Sequence, residues 1–228
     1  MTEVFRRNET AKHRIIGLSV ETRPDFINGK EIKRLRELGV TMVELGVQSI
    51  YNDILKTNLR GHSVKQTILA TKLLKDAGFK ILYQMMPNLP GSTSSRDLKM
   101  FRELFSDSRF QPDLLKIYPC AVLKEANLYK RWKTGRYKPY SCSQLIELLK
   151  KVKSKIPYYV RIQRLIRDIP SPDIAAGCKI SNLRQIVSGQ CKCIRCREVR
   201  GNYDPKEKII FIPPRLRRLR RKGNIFKP

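Results

Sequence analysis

The chain has 228 residues, 41% of them hydrophobic, which suffices for a buried core and excludes a wholly disordered chain. Forty-eight Lys and Arg stand against 20 Asp and Glu, a net charge of +28, so the expected partner is a polyanion, nucleic acid before a membrane surface. No apolar run reaches the roughly 18 residues of a transmembrane span, and Met1–Arg14 is polar without a signal-peptide core, so a cytoplasmic location is expected.

The expected elements alternate between two periodicities from residue 15 onward. Ile15–Val20 reads as a buried strand, followed by a helix from Lys30 to Leu38 that Gly39 stops. Met42–Val47 is the second strand. Ser63 and Gln66 form a capping box for a helix that ends before Gly78. Phe79–Met85 is the third strand, Asn88–Thr93 a loop, Ser95–Phe105 a helix and Leu114–Tyr118 the fourth strand. This βαβ rhythm implies a parallel sheet with right-handed crossovers. Beyond Tyr118 the rhythm changes. Lys124–Thr134 and Ser143–Val152 read as helices, the second capped by Ser141 and Gln144. Tyr158–Ile162 reads as a short strand, Asn182–Val187 as a short helix and Ile209–Ile212 as a further strand.

The fold class expected is therefore α/β: an incomplete parallel (β/α) barrel of about four strands, a helical, metal-binding appendage and a basic tail. The boundaries expected are a linker over residues 1–13, the barrel over 14–120, the appendage over 121–200 and the tail over 201–228. In the tail, Arg215, Arg217, Arg218, Arg220, Arg221 and Lys222 put six cations into eight positions, a pattern for phosphate backbones. Further basic faces are expected from Lys33, Arg34, Arg36, Lys72, Lys75, Lys130, Arg131, Lys150, Lys151, Lys153 and Lys155. Tyr137, Tyr140, Tyr158 and Tyr159 stand among cations as candidate stacking partners.

Two groups of residues carry chemistry. Glu21, Gln48, Gln84 and Tyr118 all fall at or just past the C-terminal ends of strands, where parallel sheets place ligands. Cys191, Cys193 and Cys196 put three thiols within six residues, a spacing that wraps one tetrahedral ion. Zinc suits this set better than an iron–sulfur cluster, and reduced, unligated thiols are the alternative. Cys178, 13 residues upstream, is the nearest remaining thiol for the fourth position. Lys192, Arg195 and Arg197 are expected to lower the thiol pKa values. Cys120 and Cys142 are expected to pack.

Several stretches together resemble one family. They are Gly17-Leu-Ser-Val-Glu-Thr-Arg-Pro-Asp25, Glu44-Leu-Gly-Val-Gln-Ser-Ile50, Arg60-Gly-His62, Pro87-Asn-Leu-Pro-Gly-Ser-Thr93, Lys116-Ile-Tyr-Pro119, Arg161-Ile-Gln163, Arg167-Asp-Ile-Pro170, Ser181-Asn-Leu-Arg184 and Cys193-Ile-Arg-Cys-Arg-Glu-Val199. Their order is that of the catalytic subunit of Elongator, the radical S-adenosylmethionine tRNA-uridine acetyltransferase family. The resemblance implies a radical SAM partial barrel, a zinc site and modification of the tRNA wobble uridine at C5 through a 5′-deoxyadenosyl radical. It also implies a [4Fe–4S] cluster and a C-terminal acetyltransferase domain, but neither the cluster's cysteine loop nor that domain is found in this sequence. By the same resemblance Glu21 would meet the ribose or amino group of S-adenosylmethionine, Gln48 the methionyl end and Arg60 the carboxylate. Gln84 stands where related barrels place an acidic ribose contact, which weakens that transfer, and Met86–Pro90 with Tyr118 would line the adenine. The expectation is a fragment or split-gene part of such an enzyme, binding tRNA and S-adenosylmethionine weakly, inactive alone and completed by another chain. The alternatives are a non-catalytic, zinc-stabilised RNA-binding module and a stand-alone enzyme that borrows its missing parts.

Overall fold

The computed structural model describes residues 3–187, 189–198 and 201. Met1–Arg197 form one compact unit, and Glu198–Pro228 a second, of which only Glu198 and Gly201 are described. The basic run 215–222 and the strand expected at 209–212 lie outside the described residues.

The first unit opens with α1 (Glu3–Thr10) and then alternates. It runs β1 (Ser19–Thr22), α2 (Gly29–Glu37), β2 (Met42–Gln48), α3 (Asn52–Thr57), α4 (Val64–Asp76), β3 (Lys80–Met85), α5 (Ser94–Ser106) and β4 (Leu114–Ile117). After these come β5 (Val122–Leu123), α6 (Asn127–Lys133), α7 (Cys142–Ser154), β6 (Arg161–Arg164), β7 (Ile174–Ala176) and α8 (Leu183–Ile186). Both capping boxes expected from sequence are present, Ser63 with Gln66 and Ser141 with Gln144. Asn28 caps α2 by accepting from the Glu31 amide, and Gly39 closes it at φ +72. A Cβ at Gly39 would also run into the Phe5 ring of α1, 2.4 Å away.

The main sheet has the order β1-β2-β3-β4-β6, with every pairing parallel. Sequential parallel order without reversal places the right-handed crossovers on one face, as in a barrel wall. The strands obey this. Val43, Leu45, Val47, Ile81, Tyr83, Met85, Leu115, Ile117 and Ile162 are all fully buried in a core shared with Leu35 of α2, Leu74 of α4, Met100 and Leu104 of α5 and Leu148 and Leu149 of α7. The alternate positions include Ser19, Glu21, Glu44, Gly46, Gln84 and Lys116, a polar set that strand alternation turns to the opposite, inner face.

Several details differ from the sequence reading. Ile15 and Ile16 are 72% and 91% exposed and precede β1, which pairs with β2 only from Ser19. Asn8 holds both the N–H and the carbonyl of Ile15, which ties this stretch to α1. The strand expected at Tyr158–Ile162 falls at Arg161–Arg164, because Tyr158 and Tyr159 belong to the turn after α7. That strand pairs with β4, so the sheet gains a fifth strand from residues expected in the appendage, and residues on both sides of position 120 belong to one compact unit. α3, only six residues long, was not read from the sequence.

Cutting Leu115 to Ala removes a fully buried strand residue and should cost about 2–5 kcal/mol. Leu69→Ala on the 52% exposed side of α4 should stay within about 0.5 kcal/mol. Urea midpoints of the two variants measure the difference, and equal losses would contradict this assignment of the core face.

Candidate functional site

A cavity of about 460 Å³ opens at the C-terminal rim of the sheet. Glu21, Gln48, Gln84 and Tyr118, the four rim residues read from sequence, line it together with Arg60, which the family resemblance added. The strands explain the convergence. Glu21 is near the end of β1, Gln48 ends β2, Gln84 is near the end of β3 and Tyr118 follows β4, its amide bonded to the Met85 carbonyl at 2.8 Å. Arg60 arrives from the loop after α3.

Gln48 departs from the strand at φ +64, a conformation uncommon for a side-chain-bearing residue and frequent at functional turns. Its side chain is buried and its Oε1 has no hydrogen-bond partner among the described residues. Arg60 is half-buried, and its Nη2 reaches the Gly46 carbonyl at 3.5 Å while its buried Nε has no partner. Burial lowers the Arg60 pKa from its ordinary value, and the nearby Arg23 guanidinium adds to this. Gly46 leaves room here: a Cβ would stand 3.2 Å from Gln48 Nε2 and 3.5 Å from Arg60 Nη2, crowding the cavity where the unpartnered atoms lie.

Beneath the cavity the inner face carries a polar network that sequence reasoning did not assign. Glu44 is buried and pairs with Lys116 across β3. Gln84 Nε2 donates to Glu44 Oε2 at 3.4 Å, and Ser19 Oγ donates to Oε1 at 3.3 Å. Gln84 is thus held by a carboxylate from below while it lines the rim. Arg23, Phe26, Met86 and Arg167 complete the cavity lining. Arg23 binds Asp25 at 2.6 Å and lies over the Phe26 ring, and Arg167 lies 6.0 Å from the Tyr118 ring centre. Arg23 follows Glu21 by two residues and was legible by alternation. Arg167 carried no such signal.

His62 braces the rim from behind. It is buried, and its Nε2 donates to the Val47 carbonyl at 3.2 Å, next to Gln48. That bond leaves Nδ1 as a buried acceptor without a partner. The loop at Asn88–Thr93 has a structural role in place of the expected adenine contact beyond Met86. Asn88 receives Tyr137 Oη on its carbonyl and the Tyr140 amide on its side chain, and its own side-chain amide donates to the Cys120 carbonyl. Buried Asp97 accepts from the Asn88 amide, Ser92 and Tyr140, and burial raises its pKa.

The second candidate group sits at the β6 edge. Cys191, Cys193 and Cys196 bring their sulfurs within 4.8 Å of one another, the first two buried. The loop is clasped to the strand by Ile194 N–H to Val160 O at 2.9 Å and Arg197 to Tyr158 O at 2.7 Å. The Cys193 thiol is held below its ordinary range by a hydrogen bond from Cys191, whose own pKa the same bond raises. This cause differs from the flanking cations expected from sequence. Cys178 is not a fourth ligand. It is disulfide-bonded to Cys142 at the start of α7, with a Cα separation of 4.7 Å, and that bond removes its thiolate. Cys142 is therefore paired and not merely packed. Among the described residues no fourth Cys, His, Asp or Glu joins the three.

Several expected RNA contacts are internal. Tyr137 is buried, Tyr140 is partly buried, and Lys153 Nζ is sunk against the Val187 carbonyl at 2.5 Å. Lys75 bonds the Gln111 carbonyl and Arg36 lies over the Phe79 ring, but both remain exposed. Tyr158 is 46% exposed and stands between Lys192 and Arg197 at 5.4 and 5.2 Å, and Tyr159 is 48% exposed.

An inner polar face, a rim cavity and a one-sided helical cover define a barrel-type wall of parallel strands. Residues 2–104 match the model of the radical SAM superfamily and residues 112–192 that of the radical SAM C-terminal domain. The chain is 48% identical over 227 residues to a tRNA uridine(34) acetyltransferase of Methanocaldococcus infernus, covering 96% of this chain and 42% of that protein. It is 40% identical over 200 residues to human Elongator complex protein 3, covering 87% of this chain and 37% of that one. The structure of the archaeal Methanocaldococcus infernus Elp3 with an N-terminal deletion superposes with a TM-score of 0.80 at 52% identity, over 84% of this chain and 47% of that one. The chain belongs to the radical SAM superfamily and, within it, to the family of tRNA uridine(34) acetyltransferases and Elongator complex protein 3. It spans less than half the length of these relatives.

Burial holds the His62 pKa below its ordinary value. The unfolded chain therefore takes up this proton first, and the contribution of neutral His62 to stability, complete above about pH 6.5, declines as pH falls toward the folded value. Denaturation midpoints at pH 7.5 and 5.5 should drop further for the native sequence than for His62→Gln. Equal drops would show that His62 does not titrate on unfolding.

Proposed function

We propose that this chain supplies the cofactor- and RNA-binding part of a tRNA wobble-uridine C5-modifying acetyltransferase, with S-adenosylmethionine held in the rim cavity. The observation that carries the reading is the pair of buried, unpartnered atoms, Gln48 Oε1 and Arg60 Nε, at the one cavity on which five rim residues converge. A methionyl group offers both complements: an ammonium donor for the Gln48 carbonyl and a carboxylate for Arg60, which has no carboxylate partner of its own among the described residues. Glu21 and Gln84 would take the ribose, and Met86 and Tyr118 the adenine. In radical SAM proteins this cofactor supplies a carbon-centred radical when a [4Fe–4S] cluster reduces it. This chain's cysteines do not fit such a cluster at the rim, because the three grouped thiols are clasped to the β6 edge and none lines the cavity. The cluster ligands and the acyl transfer therefore fall to another segment or another chain.

At the β6 edge we assign the three thiols to one zinc ion, a choice supported by the soft donor set and by the depressed Cys193 thiol. The partner is tRNA, supported by the names of the relatives and by the net charge of +28, and the cations of residues 215–222 add phosphate affinity. The rival reading, a zinc-stabilised RNA-binding module, differs in leaving the rim cavity without a cofactor.

Equilibrium dialysis with radiolabelled S-adenosylmethionine separates them. Binding should be measurable and should fall about tenfold or more in Gln48→Ala and in Arg60→Ala, the loss expected for a hydrogen bond to a charged group. No binding by the native sequence would favour the RNA-binding module. Elemental analysis should find about one zinc per chain. Cys193→Ser with Cys196→Ser should abolish it, and Cys178→Ser should leave it unchanged. Loss of zinc in Cys178→Ser would restore that residue as a ligand.

A further inference from the structure

A second cavity, of about 440 Å³, opens beside the rim cavity and is lined by Lys116, Gln163, Arg164, Asp168, Arg184 and Arg195 among others. Its cations are unequally balanced. Lys116 is paired with Glu44, and Arg164 with Asp168 at 3.1 Å. Arg184 and Arg195 have no carboxylate partner among the described residues. Each is instead fixed by a backbone carbonyl: Arg184 Nη2 donates to Ile162 O at 2.9 Å and Arg195 Nη1 to Gln163 O at 2.8 Å. Two guanidiniums are thus oriented by neutral acceptors on one short strand, and neither is neutralised by them. The buried Nε of Arg195 has no acceptor, and the buried Oε1 of Gln163 has no donor. A buried donor without an acceptor is a cost that a ligand oxygen relieves.

The chemistry that meets these groups is a phosphate ester with a neighbouring hydroxyl. The phosphate supplies acceptors for a planar guanidinium fork, and the hydroxyl supplies a donor for Gln163. A ribonucleotide carries both. Position favours RNA over a free anion. β4 gives Lys116 to this cavity, and Tyr118, two residues on, lines the rim cavity, a separation of roughly 7 Å along the strand. Arg167 lines the rim cavity, while Arg164 and Asp168 on either side of it line the second. A base at the rim therefore has its own backbone within reach of Arg184 and Arg195. Resting on the RNA-modifying reading above, we propose that this cavity is the subsite for one backbone phosphate of the RNA, with Arg184 and Arg195 as its cations and Gln163 on the adjoining ribose hydroxyl.

The test uses the full chain with its metal and a fluorescein-labelled, single-stranded uridine oligoribonucleotide, followed by anisotropy across a salt series. Gln163→Glu places a carboxylate beside the two arginines without changing side-chain size. It should weaken binding about tenfold or more and lower the slope of log affinity against log salt by about one. Lys65→Gln, the same change in net charge at an exposed position of α4, should change affinity less than about twofold. Arg184→Gln repeats the measurement should Gln163→Glu fail to fold, with melting temperature and zinc content as the controls. Equal effects at position 65 and in the cavity would overturn the subsite. So would a cavity that serves free anions, seen as thermal stabilisation by inorganic phosphate over chloride that Gln163→Glu abolishes while RNA affinity stays unchanged. A native chain that binds no RNA at any salt overturns the RNA-directed reading first, and the subsite with it.

Discussion

A single carboxylate on the inner face of the sheet organises what surrounds it. Glu44 sits on β2 with 10% of its side chain exposed, and its partner Lys116 on β4 has 16%. A buried charge is tolerated only when it is paired and its remaining lone pairs are met. Lys116, Gln84 and Ser19 meet them, one each from β4, β3 and β1. The network therefore spans four adjacent strands, and its members line the openings around it. Gln84 faces the rim cavity, Lys116 the cationic cavity, and Ser19 a third opening at the opposite ends of the strands. A sheet with apolar residues on both faces would be more easily stabilised. It would leave no polar floor on which to mount a ligand site.

The two ends of the sheet order differ. β6 is covered by the cysteine loop, whose Ile194 amide bonds the Val160 carbonyl just before the strand begins. That loop also carries Arg195, so one short segment both shields backbone groups and delivers a cation to the inner face. Covering an edge is the usual way to prevent unwanted pairing. β1, at the other end of the sheet order, is four residues long and pairs with β2.

Most of the fold was legible because each strand and helix announces its own periodicity. Capping residues such as Ser63, Ser141 and Gly39 mark helix ends through local backbone groups, which sequence shows directly. Glu21, Gln48, Gln84 and Tyr118 were found because parallel strands bring their C-terminal ends together whatever the distances along the chain, whereas Arg60, on a loop, came only from the family resemblance. What failed was long-range and specific to topology. Cys178 lies near the cysteine cluster in sequence, but α7 places Cys142 nearer, so the cysteines divide into one bonded pair, one cluster of three and the buried, separate Cys120. Lys153 and Tyr137 carry polar tips that suggest a surface, yet each finds a backbone carbonyl inside the fold. Glu44 was visible only as part of a motif, because its burial depends on Lys116, 72 residues later.

The strong positive charge and the site form one electrostatic system at two ranges. Charges spread over the surface raise the local concentration of any polyanion but are screened by salt within about 10 Å and carry little geometry. Three of the cations that line the two inner cavities are held differently. Arg60, Arg184 and Arg195 each lean on backbone carbonyls, of Gly46, Ile162 and Gln163, and those carbonyls belong to β2 and β6 or adjoin them. Their positions are thus set by the sheet itself and cost little further side-chain entropy on binding. Long-range charge can gather a nucleic acid of any sequence. On the reading proposed above, the few guanidiniums fixed to strand carbonyls are the groups that decide where along the inner face an individual anionic group comes to rest.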